Sequence, residues 1–147
     1  MRLRDVMTHS VHTLTADQSV ASAIHLFIQH GIKGAPVLLA GKLVGVVSEK
    51  DIFRALYPSV TEFSSNPELW LQEVELEGNA KTVAAKPVSE IMVTDSITAT
   101  PDTPVMQAGS MMLAHNVSRI LVVESGKLLG IATRSDVFRS VFKQFLS

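Results

Sequence analysis

The 147 residues include no cysteine. Disulfides and thiolate metal sites are therefore excluded, which suits a reducing compartment. An excess of either charge is also lacking: 13 Lys and Arg face 14 Asp and Glu, for a net charge of −1. General nucleic-acid and membrane-surface binders usually carry a basic excess, so neither partner is expected. Long apolar runs are missing. Although 46% of the residues are hydrophobic, no stretch approaches the roughly 20 residues of a membrane helix. The start, Met1-Arg2-Leu3-Arg4-Asp5, lacks the apolar core of a signal peptide. These absences predict a cytoplasmic protein.

Catalytic and metal signatures are equally thin. Five histidines are present, but no His-Glu-x-x-His pattern, and His9 with His12 is too small a set for a metal site. Ser125-Gly126-Lys127-Leu128 lacks the upstream glycine and the following Ser or Thr of a phosphate loop, and reads as a hairpin turn. No Gly-x-Ser-x-Gly elbow occurs. No metal site and no enzyme are expected.

What is present is an internal repeat. Shifted by about 85 residues, the chain matches itself without a gap. Val6-Met7 falls on Ile91-Met92, and Thr13-Leu14-Thr15-Ala16-Asp17 on Thr98-Ala99-Thr100-Pro101-Asp102. His30 meets His115, Gly41-Lys42-Leu43-Val44-Gly45 meets Gly126-Lys127-Leu128-Leu129-Gly130, and Asp51-Ile52-Phe53-Arg54 meets Asp136-Val137-Phe138-Arg139.

Each copy reads as β-α-β-β-α. Val11 to Thr15 is a short extended piece. Val20, Ala23, Ile24, Phe27 and Ile28 recur at helical spacing, as do Val105, Ala108, Met112 and Leu113. Pro104 suits the first position of the second of these helices, with Thr103 as its cap. Gly31 and Asn116 suit the helix ends. Pro36–Leu39 and Leu43–Val47 make two strands around Gly41; Leu121–Val123 and Leu129–Ala132 repeat them around Gly126. A last helix begins at Ser48 or Thr133, with Ile52, Phe53 and Leu56, or Val137, Phe138 and Val141, as its buried face. A unit of about fifty residues alone would be marginal, and two half-cores bury more together. The fold class is therefore predicted as α+β, two repeats paired about a pseudo-twofold axis: residues 1–57, an acidic helical insert at 58–86, and residues 87–147. In the insert, Asn66 and Pro67 read as a helix start, and Trp70, Leu71, Val74 and Leu76 as its packing face.

The candidate chemistry sits where a strand ends and a helix begins: Ser48-Glu49-Lys50-Asp51 and Thr133-Arg134-Ser135-Asp136. The spacing fits a capping box. It also fits a ligand site, because a helix N-terminus suits phosphate, a carboxylate can accept from both hydroxyls of a ribose, and Lys50 and Arg134 add positive charge. A second candidate precedes each hairpin: Gly31-Ile32-Lys33-Gly34-Ala35-Pro36 and Asn116-Val117-Ser118-Arg119-Ile120-Leu121, where backbone groups could receive a flat base.

With these residues in view, the chain resembles a tandem CBS-domain protein, a pair of cystathionine-β-synthase-type repeats. The resemblance rests on Ala35-Pro36-Val37, the Gly-x-Leu-x-Gly hairpins, and Gly45-Val46-Val47-Ser48-x-x-Asp51 with Gly130-Ile131-Ala132-Thr133-x-x-Asp136. It implies a regulatory module that binds an adenosine-containing ligand (AMP, ADP, ATP or S-adenosylmethionine) in two clefts between the repeats. It also implies a homodimer acting on another protein. In such modules the Asp holds ribose and its Ser or Thr neighbours hold phosphate. Carried over, one cleft joins Thr103, Val117, Ser118, Arg119 and Leu121 to Ser48, Lys50 and Asp51. The other joins Thr13, Ile32, Lys33, Ala35 and Pro36 to Thr133, Arg134, Ser135 and Asp136. Two departures stand out: Leu121 replaces a common proline, and Gly34 stands where Arg119 sits in the second repeat. A ligand-free dimerisation module is the alternative.

Overall fold

The computed structural model describes residues 1–57 and 73–146. The insert's expected helix start at Asn66 and Pro67, and Trp70 and Leu71, lie outside the described residues, as do the side chains of Val74 and Leu76. The chain forms two compact units.

One unit comprises His12–Leu39 and Val44–Thr94. Its elements are β1 (Leu14–Thr15), α2 (Val20–His30), β2 (Gly34–Leu39), β3 (Lys42–Ser48), α3 (Glu49–Leu56) and α4 (Glu73–Ala85). The strands form a three-stranded sheet in the order β1-β2-β3, with β1 parallel to β2. Helix α2 is capped by Ser19, whose hydroxyl accepts from the Ser22 N–H at 3.1 Å, and ends at Gly31 in the left-handed region, φ 61°. The core gathers Leu14, Val20, Ala23, Phe27, Val37, Val47 and Ile52, joined by Val83 of α4 and by Val88.

The other unit comprises Met1–Val11, Ala40–Leu43 and Asp95–Ser147. It contains α1 (Leu3–Val6), β4 (Thr98–Ala99), α5 (Val105–Ala114), β5 (Arg119–Glu124), β6 (Lys127–Thr133) and α6 (Arg134–Leu146). Its sheet order is β4-β5-β6, with β4 parallel and β6 antiparallel to β5. The hairpin turns Ala40-Gly41 and Ser125-Gly126 all have positive φ, the backbone a two-residue hairpin needs. Leu3, Ala108, Met112, Ile120, Val122 and Ala132 form the core.

The segment that opens each repeat in sequence packs within the unit built on the other repeat. Leu3, with none of its surface exposed, belongs to the core of the second repeat, and Val88 to that of the first. Thr8 bridges Ile131 of β6, and Val93 bridges Val46 of β3. The Met1 carbonyl accepts from the Val105 N–H at 3.1 Å, and the Lys86 carbonyl from the Val20 N–H at 2.8 Å. Each exchanged segment thus satisfies a free N–H at the first turn of a helix.

Three local expectations are corrected. Pro104, at φ −58° and ψ 140°, is itself the cap residue of α5, and the helix starts at Val105. The Thr103 hydroxyl instead accepts from the Thr100 N–H at 3.2 Å. A proline cap needs no N–H partner, and Thr103 is held in the preceding turn. Second, Ile28 and Leu113 are each 76% exposed. Eight residues along a helix the stripe has drifted by about 80°, enough to leave the sheet. Third, Phe53 and Phe138 are 60% and 63% exposed. They lie one residue, about 100°, off the inward positions Ile52 and Val137.

Candidate functional site

Both Ser/Thr-x-x-Asp motifs stand at the start of the helix that follows a hairpin. In the first, the Ser48 N–H and hydroxyl donate to Asp51 Oδ2 at 2.9 and 2.8 Å, and the Asp51 N–H donates to Ser48 Oγ at 3.3 Å. In the second, the Thr133 N–H donates to Asp136 Oδ2 at 2.8 Å and the Asp136 N–H to Thr133 Oγ1 at 3.1 Å. These are capping boxes. Each box uses only one carboxylate oxygen. Among the described residues, Oδ1 of Asp51 and of Asp136 accepts no hydrogen bond. Both aspartates are half-buried, so each presents a spare acceptor beside a helix N-terminus.

The start of each hairpin lies against the helix start of its own repeat. The Lys33 carbonyl accepts from the Glu49 N–H at 2.9 Å, and the Ser118 carbonyl from the Arg134 N–H at 2.8 Å. Arg119 is the strand partner of Thr133. The Arg134 guanidinium donates to the Val117 carbonyl at 3.2 Å. This same-repeat contact was not anticipated from the sequence; antiparallel register imposes it, since the first residues of one strand meet the last of its neighbour.

The remaining candidates fall into three groups. Lys33, Lys50, Ser118, Arg119 and Ser135 are exposed and close to the two boxes in sequence or register. Thr13, Ile32, Val117 and Thr103 are half-buried; Ile32 and Val117 pack against their respective cores, and the Thr103 carbonyl accepts from the Leu3 N–H. Ala35, Pro36 and Leu121 are buried, with Ala35 2% and Leu121 6% exposed, so their side chains face the interior. Glu49 was not assigned from the sequence, although the repeat register that aligns it with Arg134 could have shown it.

The histidines make no cluster. His12 stacks on His30 with ring centroids 3.7 Å apart. Among the described residues no group of three or more potential ligands could hold a metal ion, and no helix is long and apolar enough to cross a membrane.

Two α-β units, each with a parallel–antiparallel three-stranded sheet and a boxed aspartate after its hairpin, define a duplicated α+β module. The CBS domain family model matches residues 3–58 and 88–143, so the chain belongs to the CBS-domain family and carries two such domains in tandem. A protein of Methanocaldococcus jannaschii is 30% identical over 96% of this chain and 91% of its own length. The crystal structure of CBSX2 in complex with AMP has a TM-score of 0.74 at 26% identity and 98% coverage of both chains. The CBS domain pair of protein MJ0100, in complex with 5′-methylthioadenosine and S-adenosyl-L-methionine, has a TM-score of 0.69 at 26% identity. It covers 96% of this chain and 99% of that one.

Proposed function

We propose that this chain is a cytoplasmic regulatory module that binds an adenosine-containing ligand at Asp51 and Asp136 and passes the binding on to a partner protein as a conformational bias. It binds rather than catalyses. The observation that carries the reading is the duplicated carboxylate with one oxygen in the cap and the other uncommitted. A ribose diol would donate to that second oxygen, and the first-turn N–H left open in each helix among the described residues, that of Lys50 or Ser135, would face phosphate. Same-repeat hydrogen bonds and register favour grouping the candidates by repeat, rather than across the two repeats as the resemblance implies: Lys33, Ser48 and Lys50 with the first site, and Val117, Ser118, Arg119, Thr133, Arg134 and Ser135 with the second; Thr13, Ile32, Ala35, Pro36, Thr103 and Leu121 complete the proposed set. The AMP, methylthioadenosine and S-adenosylmethionine complexes of its relatives support this ligand class. A ligand that favours one conformation shifts the population by its differential affinity alone.

The test is a thermal-shift and calorimetric screen of AMP, ADP, ATP and S-adenosylmethionine. At a hundred times the dissociation constant, a binder should add about 2.7 kcal/mol to stability. Asp51→Ala and Asp136→Ala should each remove one site. If none of the four ligands raises the melting temperature, the reading fails.

A second reading, a homodimeric interaction module that needs no ligand, is favoured by matched exposure in the two repeats. Ile28 and Leu113 are both 76% exposed, and Phe53 and Phe138 60% and 63%. Equivalent apolar positions left open twice suit a self-complementary partner surface. Light scattering should then show a dimer with or without AMP, and Phe53→Asp with Phe138→Asp should leave a folded monomer.

A further inference from the structure

The two boxed sites are built alike but furnished differently. We infer that the Thr133–Asp136 site is the phosphate-selecting one of the pair, with Arg119 and Arg134 as specificity-determining residues. The Ser48–Asp51 site accepts an uncharged adenosyl nucleoside about as well as its monophosphate. The inference rests on the proposed function and assigns a different ligand class to each of its two sites.

Arg119 occupies the position of Gly34, and Arg134 that of Glu49. As the strand partner of Thr133, Arg119 extends from the same face of the hairpin as the capping threonine. Its guanidinium has no partner among the described residues. Arg134 is held by its bond to the Val117 carbonyl, 3.2 Å, which lays its guanidinium across the start of the hairpin. Two guanidinium side chains therefore arise beside one helix N-terminus, from the strand partner of its cap and from its first residue, and such planar donor forks can take phosphate oxygens in pairs. Ser118 and Ser135 add hydroxyl donors on either side.

The first repeat carries lysines where these serines stand, Lys33 and Lys50, so its site is not without positive charge. Glu49 lies beside Lys50, however, and is tied by its own N–H to the Lys33 carbonyl. A carboxylate there opposes phosphate and offsets a lysine. Gly34 has no side chain over the hairpin start. A Cβ there would lie 3.2 Å from the Val47 carbonyl oxygen and 3.4 Å from Ser48 Cβ. The first site thus pairs flexible point charges with an acid and a bare strand. The second pairs two guanidinium forks, that of Arg134 held by the Val117 carbonyl, with hydroxyls.

Calorimetric titration with adenosine and with AMP, on variants that retain one site each, tests this. In Asp51→Ala, which keeps the second site, AMP should bind more tightly than adenosine by about tenfold or more, the worth of one charge-assisted hydrogen bond. In Asp136→Ala, the two should agree within about threefold. Adding Arg119→Gln and Arg134→Gln to Asp51→Ala should bring the ratio of the AMP and adenosine affinities to within about threefold while adenosine still binds, a split that loss of fold would not produce. Glu49→Arg, at an exposed position, should create an AMP preference in the Asp136→Ala background. Equal AMP preference at both sites, or a preference that survives the double arginine change, overturns the inference alone. Failure of the unmodified protein to bind either adenosine or AMP overturns the proposed function and the inference with it.

Discussion

Replacing Gly130 with alanine should detach the N-terminal segment from β6. A Cβ at this position would lie 2.7 Å from the Thr8 carbonyl oxygen and 2.9 Å from Met7 Sδ. The methionine side chain can move. The carbonyl cannot, because it accepts from the Ile131 N–H at 3.0 Å while the Thr8 N–H donates to the Ile131 carbonyl at 2.9 Å. Gly45 is the equivalent residue, where a Cβ would lie 2.7 Å from Met92 Sδ and 2.9 Å from the Val93 carbonyl oxygen. Overpacking costs about 1–3 kcal/mol, and each lost backbone hydrogen bond about 1 kcal/mol net. A loss of about 3 kcal/mol is therefore expected for either substitution, a large share of the 5–15 kcal/mol typical of a folded domain. Urea denaturation without ligand measures it, and hydrogen exchange locates it. The Thr8 and Ile131 amides should lose protection in Gly130→Ala, and those of Val46 and Val93 in Gly45→Ala. Gly78→Ala is the control. It lies in α4 with nothing within 4 Å of an added Cβ, and should gain about 0.5–1 kcal/mol from helix propensity. An unchanged urea midpoint in Gly130→Ala, with Thr8 still protected, would show that the segment does not pack as described.

Two further substitutions address the core and the cap. Ile120, wholly buried in β5, should lose about 2–5 kcal/mol on change to alanine, whereas Ile28→Ala, 76% exposed, should stay within about 0.5 kcal/mol; comparable urea midpoints for the two would refute the burial assignment. Asp51→Asn keeps an oxygen to accept from the Ser48 N–H but turns the free carboxylate oxygen into an amide donor. It should therefore melt above Asp51→Ala yet bind adenosine no better, and retained adenosine affinity in Asp51→Asn would deny the second oxygen its role.

Much of this molecule can be read from periodicity. The hairpins appear in the sequence because apolar alternation is broken by Gly41 and Gly126, and both turns adopt positive φ there. The two boxes follow from a three-residue spacing, and the hydrogen bonds from Ser48 and Thr133 match it. The exchange of the opening segments was not legible. Leu3 and Val88 carry no local pattern that tells which sheet will cover them, and short segments are placed by tertiary contact alone. The exposed phenylalanines failed for a related reason. A hydrophobic residue reads as core in sequence, but Phe53 and Phe138 lie just outside the inward stripe, and apolar surface in a folded protein is common enough to hide them. Same-repeat contact at the candidate sites depends on strand register, which neither motif encodes.

The capping boxes raise a question that stability alone does not answer. The chain starts its other two long repeat helices without them. Helix α2 begins on Ser19, whose hydroxyl is bonded to the N–H and hydroxyl of Ser22 with no carboxylate returning the cap. Helix α5 has no side-chain cap at all, only Pro104 and a bond from the Val105 N–H to the Met1 carbonyl. Helix formation in this fold is thus secured by burial of Val20, Ala23, Phe27 and their counterparts. Of the long repeat helices, those that follow a hairpin carry a reciprocal carboxylate, and both place it beside the hairpin start; the four-residue α1 has one as well, Asp5, which accepts from the Arg2 N–H at 2.9 Å. A cap needs one oxygen to accept from the Ser48 or Thr133 N–H, which an asparagine amide could supply. A carboxylate keeps a second acceptor, and in both repeats that acceptor is unengaged among the described residues. The residues beside it differ in charge between repeats, Glu49 against Arg134, while the aspartate does not. The invariant part is therefore what a diol requires, and the variable part is what would distinguish one 5′-substituent from another.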